Sequence, residues 1–115
     1  MERWDGAQDG LVRMALAVES NAHWILAGMS TEELIRTAYQ LACDRDLKIT
    51  NHSSGGTLSL EFGYLHGVRE TGRSDVMYLV EMGVLDPRWL LIHGIHFTDT
   101  DIAMVKETGC HAVYT

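Results

Sequence analysis

The strongest constraint on this chain is a pattern that occurs twice. Trp89-Leu90-Leu91-Ile92-His93 is an apolar run of strand length ending in a histidine, and the loop after it carries His96 before Thr98, a residue suited to cap a helix. Lys48-Ile49-Thr50-Asn51-His52 repeats the arrangement and leads into Ser53-Ser54-Gly55-Gly56. Two buried strands thus each deliver an imidazole where strand gives way to loop. In a parallel α/β sheet or barrel all such ends point to one face, and ligands bind on that face. His52 and His93 are therefore expected to converge on a metal ion or a polar substrate.

The rest of the chain supplies the frame. Leu11 to Val18 is apolar enough for a strand buried on both faces, and it exits into a polar and aromatic loop, Glu19-Ser20-Asn21-Ala22-His23-Trp24. Ser30-Thr31-Glu32-Glu33 has capping-box spacing, with Ser30 and Glu33 as the reciprocal pair, before a helix of about 31–45. Side-chain alternation puts Lys48, Thr50 and His52 on one face of their strand, with Ile49 and Asn51 on the other. The same rule puts Trp89, Leu91 and His93 together. Residues 57–70 read as a helix weakened by Gly63 and Gly67, and Asp75 to Met82 as a firmer one with Val76, Leu79 and Val80 inward and Gly83 at its end. Asp86-Pro87 turns the chain into the 89–93 strand. Thr98 to Asp101 caps a helix to about Thr108, with Ile102, Ala103, Met104 and Val105 as core contacts, and residues 110–115 form a last strand.

Strands alternate with helices throughout, and the connections suit right-handed crossovers, so the strands are expected to be parallel. Four such strands make a small open α/β sheet or half of an eight-stranded barrel. With 115 residues, 46% of them hydrophobic, residues 1–115 fill one domain and leave no room for a second. The 9 basic residues are scattered among 16 acidic ones, for a net charge of -7, which argues against a nucleic-acid partner. No apolar run approaches the ~20 residues of a membrane span, and the first residues lack the basic-then-apolar order of a signal peptide, so the expected compartment is the cytoplasm. Cys43 and Cys110 lie in apolar contexts and read as buried thiols.

Gly72-Arg73-Ser74-Asp75-Val76, Leu79, Met82 through Arg88 and Leu90 through Asp99 together resemble the amidohydrolase superfamily. The resemblance is to the branch of cytosine-deaminase-like, methylthioadenosine/adenosylhomocysteine-deaminase-like and triazine-hydrolase-like enzymes. There a strand ends in His, a second His follows after two residues, and a helix opens with Thr/Ser-Asp. Residues 47–54 are similar to the family's preceding strand, and residues 11–47 match more loosely. The resemblance implies a partial (β/α)8 TIM barrel of about four strands, central to later in the barrel. It implies His52 as a metal ligand, and His93 as a second ligand or the group that hydrogen-bonds the activated water. Imidazole suits zinc and ferrous iron, so the implied cofactor is a divalent metal, zinc first and iron second. His96, His23 and Glu19 are the candidate substrate contacts.

The chain also departs from that pattern. Neither the family's His-x-His strand nor its final aspartate strand is present, Gly55 stands where many deaminases of the branch carry a glutamate, and Tyr114 stands near the family's next strand-end histidine. The expected activity is hydrolysis of a non-peptide C–N bond in a cyclic nitrogenous small molecule. The alternative is a small α/β module that binds a ligand or partner without catalysis. A half barrel would expose strand edges and an apolar inner face, so a homo-oligomer is also expected.

Overall fold

The structure, a computed structural model, describes residues 4–19, 30–55 and 64–115. Its elements are β1 (Ala15–Val18), α1 (Glu32–Arg45), β2 (Lys48–Ser53), α2 (Tyr64–Thr71), α3 (Asp75–Glu81), β3 (Trp89–His93), α4 (Asp99–Thr108) and β4 (His111–Val113). The strands form one sheet in the order β1-β2-β3-β4, and each neighbouring pair is parallel. Strand order that follows the sequence without reversal is that of a (β/α)8 barrel wall; a doubly wound sheet reverses at a switch point. The alternation expected from the sequence is present.

Register sorts the side chains into two faces. Leu16 pairs with Ile49, Ile49 with Trp89 and Asn51 with Leu91, so these residues share the face that the helices cover. Ile35 and Ala42 of α1 and Val76 and Leu79 of α3 pack there against Ile49, Trp89 and Leu91, all fully buried. Trp89 satisfies its one polar atom by donating from Nε1 to the Val84 carbonyl at 2.7 Å. The opposite face carries Ala15, Ala17, Lys48, Thr50, His52, Leu90, Ile92, His111 and Val113. No helix covers it among the described residues, and six of these nine are exposed.

The ends of the helices follow their sequence signals with one change. Thr98 and Asp101 form a capping box at α4, and Gly109 ends that helix at φ 70°. At α1, however, Thr31 is the cap and accepts from Leu34 N at 3.2 Å, in place of the expected Ser30. Ser30 is engaged elsewhere: its Oγ accepts from Glu19 N and its own N–H donates to Glu19 O, each at 3.3 Å.

Three further expectations are corrected. β1 begins at Ala15, because the Asp5 carboxylate takes Met14 N at 2.8 Å and Arg13 Nε at 3.1 Å, and residues 4–12 fold back in turns that leave Leu11 exposed. Ala15 and Ala17 are exposed, so β1 is covered on one face only. On α4 the buried residue is Asp101, which turns Met104 and Val105 inward and leaves Ile102 54% exposed with Ala103 also outside. Cys110 is buried and its thiol is pushed up by that burial, but Cys43 is only partly buried; both are free thiols. The 57–63 part of the weak helix lies outside the described residues, and its remainder is α2. No helix among the described residues is long and apolar enough to cross a membrane.

Candidate functional site

β2 and β3 run side by side and end level, with His52 opposite Ile92 and Ser53 opposite His93. By strand parity His93 belongs on the helix-covered face with Trp89 and Leu91, away from His52. The structure corrects that expectation. His93 has φ 90°, and rotation about its N–Cα bond takes the side chain out of the alternation. Its ring stacks on that of His52, with centroids 5.2 Å apart and planes at 20°.

The surroundings of each ring follow from its strand end. His52 Nδ1 lies 2.5 Å from Oε1 of Glu19, the residue after β1. A carboxylate only accepts, so Nδ1–H donates, and the tautomer that this contact selects carries its lone pair on Nε2. About half of each side chain is in solvent (55% and 45%), so the contact orients His52 more than it stabilises the fold. Glu19 is itself anchored through its backbone by Ser30. His93 Nδ1 shares a hydrogen bond with Thr115 Oγ1 at 2.7 Å. Its other flank is Gly55: a Cβ at that position would fall 2.5 Å from His93 Cβ and 2.7 Å from Cγ. The ring therefore occupies space that any side chain at 55 would need.

His52, His93 and Glu19 are thus brought together. His96 stands apart from that pair, its ring stacked on Tyr64 (5.8 Å, 17°) and its N–H donating to Ser54 O at 2.9 Å. Tyr64 is buried, which raises its hydroxyl above the usual phenol range. His23 lies outside the described residues. As a donor set, two imidazoles whose second nitrogens are engaged fit a borderline-soft divalent ion and make up half of a tetrahedral shell. Among the described residues, no group of three or more His, Cys, Asp or Glu side chains is arranged to hold a metal ion.

Sequence reasoning missed the polar layer beneath the rings. Asp75 and Asp101 are fully buried, and Ser53, Ser54 and Ser74 are buried beside them. Their only sequence signal is a serine pair after one strand-end histidine and an Asp at each of two helix starts, which reads as ordinary capping.

Comparison with known proteins gives the frame its relatives. No family model matches the chain. An 8-oxoguanine deaminase from Pseudomonas aeruginosa is 34% identical over 84 residues, 70% of this chain and 18% of that protein. An adenosine deaminase from Xanthomonas campestris with bound zinc superposes at TM-score 0.73 and 17% identity, over 95% of this chain and 23% of its own. A mutant atrazine chlorohydrolase from Arthrobacter aurescens, complexed with zinc and atraton, gives TM-score 0.68 and 20% identity over 91% and 21%. The chain is thus similar to deaminases and hydrolases of the amidohydrolase superfamily. Its four parallel strands and their helices share the fold of part of these neighbours' TIM barrels, and the chain spans about a fifth of the length of these relatives.

Proposed function

We propose that residues 1–115 form one partial barrel domain, central to later strands, that supplies part of the active rim of a divalent-metal-dependent hydrolase. The reaction is cleavage of a non-peptide C–N bond in a cyclic nitrogenous small molecule. The observation that carries this reading is the stacked pair His52 and His93 at adjacent parallel strand ends, with Glu19 on His52 Nδ1. The relatives' names support the substrate class, since they are deaminases of adenosine and 8-oxoguanine and a chlorohydrolase of atrazine. Zinc in two of the neighbouring structures supports the cofactor.

In this reading His52 and His93 hold the ion, zinc first and iron second. When bound, such an ion supplies acidity to water and polarises the bond to be cut. Glu19 keeps the proton on His52 Nδ1, which reserves Nε2 for coordination. If other ligands complete the shell, the one His93 nitrogen not engaged by Thr115 instead hydrogen-bonds the attacking water, and Glu19, His96 and His23 contact the substrate. The working compartment is the cytoplasm, and the open inner face favours a homo-oligomer in isolation.

The test is metal content and turnover in protein that carries a complete ligand set. His52→Ala is expected to lose stoichiometric zinc together with hydrolysis. Full activity in metal-free protein contradicts the reading and leaves the non-catalytic binding module in its place.

A further inference from the structure

Asp75, the first residue of α3, is fully buried yet takes no part in the chemistry proposed above. A buried carboxylate is costly unless its lone pairs are filled, and here four donors fill them. Oδ2 accepts from Ser53 Oγ at 2.9 Å and from Ser54 N at 2.8 Å. Oδ1 accepts from Ser54 Oγ at 2.8 Å and from Val76 N at 3.1 Å. Three of the four donors belong to the two residues that follow His52.

Those residues in turn hold the loop after β3. Ser53 O accepts from Gly94 N and Ser54 O from His96 N, each at 2.9 Å, so the partners lie just beyond His93. Ser54 is kept at φ 47°, and the next residue is Gly55, against whose bare backbone the His93 ring rests. A second link closes the layer: Ser74 donates to Asp101, whose Oδ2 takes Thr98 N at 2.9 Å and Thr98 Oγ1 at 2.7 Å. Both loops are therefore tied through α3.

We infer that Asp75 is a positioning residue for the His52 and His93 pair. By fixing Ser53 and Ser54 it sets the backbone of residues 53–55, and that backbone sets where the His93 ring can lie. The use of the pair rests on the hydrolase reading; the geometry does not.

The amide isostere separates position from bulk. In Asp75→Asn the serine hydroxyls can turn to accept, but the backbone N–H groups of Ser54 and Val76 face opposite oxygens. Whichever way the amide flips, one N–H meets an NH2, and the loop must shift.

The experiment is NMR on the chain, reading the cross-relaxation between the His52 and His93 ring protons in the parent, Asp75→Asn, Ser54→Ala and Val76→Ala. Val76 is fully buried, but its side chain is no partner of Ser53 or Ser54, so its truncation reports general loosening. A strong cross-peak in the parent and in Val76→Ala, reduced several-fold in Asp75→Asn and in part in Ser54→Ala, is the expected result. An undiminished cross-peak in Asp75→Asn, or equal loss in Val76→Ala, overturns the inference. Should Asp75→Asn not fold, an unchanged cross-peak in Ser54→Ala overturns it instead. Loss of the cross-peak in Asp75→Asn alongside rings that ignore zinc would defeat the hydrolase reading and leave the positioning role standing.

Discussion

The two rims of the sheet use one backbone conformation for different ends. At the rim where strands begin, Asp46 (φ 51°) and Gly109 (φ 70°) adopt it to terminate α1 and α4. At the rim where strands finish, Ser54 (φ 47°) and His93 (φ 90°) adopt it at the ends of strands. The first rim is held by paired polar side chains: Asp86 takes Tyr39 OH and Arg88 Nη1, each at 2.9 Å, and Lys48 Nζ donates to the Pro87 carbonyl at 3.0 Å. The second spends strain on aiming a histidine into solvent-facing space. Left-handed backbone thus ends a helix at one rim and redirects a side chain at the other, and strain of the second kind points to function.

The largest expected difference between the rims comes from the core at the start of β3. Trp89→Ala removes a fully buried indole and its hydrogen bond, and is expected to lower unfolding free energy by about 3–5 kcal/mol in denaturant titration. His52→Ala at the other rim should stay within about 0.5 kcal/mol of the parent, because its side chain is largely exposed. A comparable loss from both would erase the contrast.

Below the histidines the rim is not free of structural duty. Asp101→Ala strips Ser74 and Thr98 of a buried partner and should cost about 1–3 kcal/mol by the same measurement.

The shared conformation gives opposite signs at the two rims. Gly109→Ala forces a Cβ into φ 70° and to 3.3 Å from Pro87 Cγ, and is expected to destabilise by about 1 kcal/mol. His93→Gly relieves φ 90° and should leave the denaturation midpoint unchanged or raised while removing the ring. A clear loss of stability in His93→Gly would mean that the ring is held for packing.

The smallest effect is one of pH. Burial first, then the hydrogen bond and charge of Asp86, push the Tyr39 hydroxyl up from 10.0 to about 12. The fold favours the neutral phenol, so this contribution is whole below pH 10 and is lost as pH rises through about 12. Tyr39→Phe should flatten part of the alkaline fall in stability, and Tyr64 and Tyr78, also raised by burial, keep the rest. An unaltered alkaline limb would mean that Tyr39 contributes nothing to it.

What was legible in the sequence was what repeats at short range. The apolar runs before His52 and His93, the Thr98 cap and the glycine at 109 each act within a few residues, and the parallel order followed from their alternation. The route by which His93 meets His52 was not legible. Alternation within the strand assigned its ring to the wrong face, and the reversal depends on Gly55, 38 positions earlier in the chain, leaving the space open. Asp75 and Asp101 were equally hidden, because an acidic residue at a helix start reads as exposed capping; only the fold brings Ser53, Ser54 and Ser74 around them. Ser30 illustrates the same limit, since its partner Glu19 is 11 positions away in the chain and outcompetes the local cap.

The two imidazoles of His52 and His93 are expected to act as one unit. Titrating the chain with zinc while following the ring signals of all six histidines by NMR tests this. His52 and His93 are expected to respond together along one curve, with the response of each abolished when the other is changed to alanine. Independent curves for the two rings, or a response spread evenly over all the histidines, would contradict it.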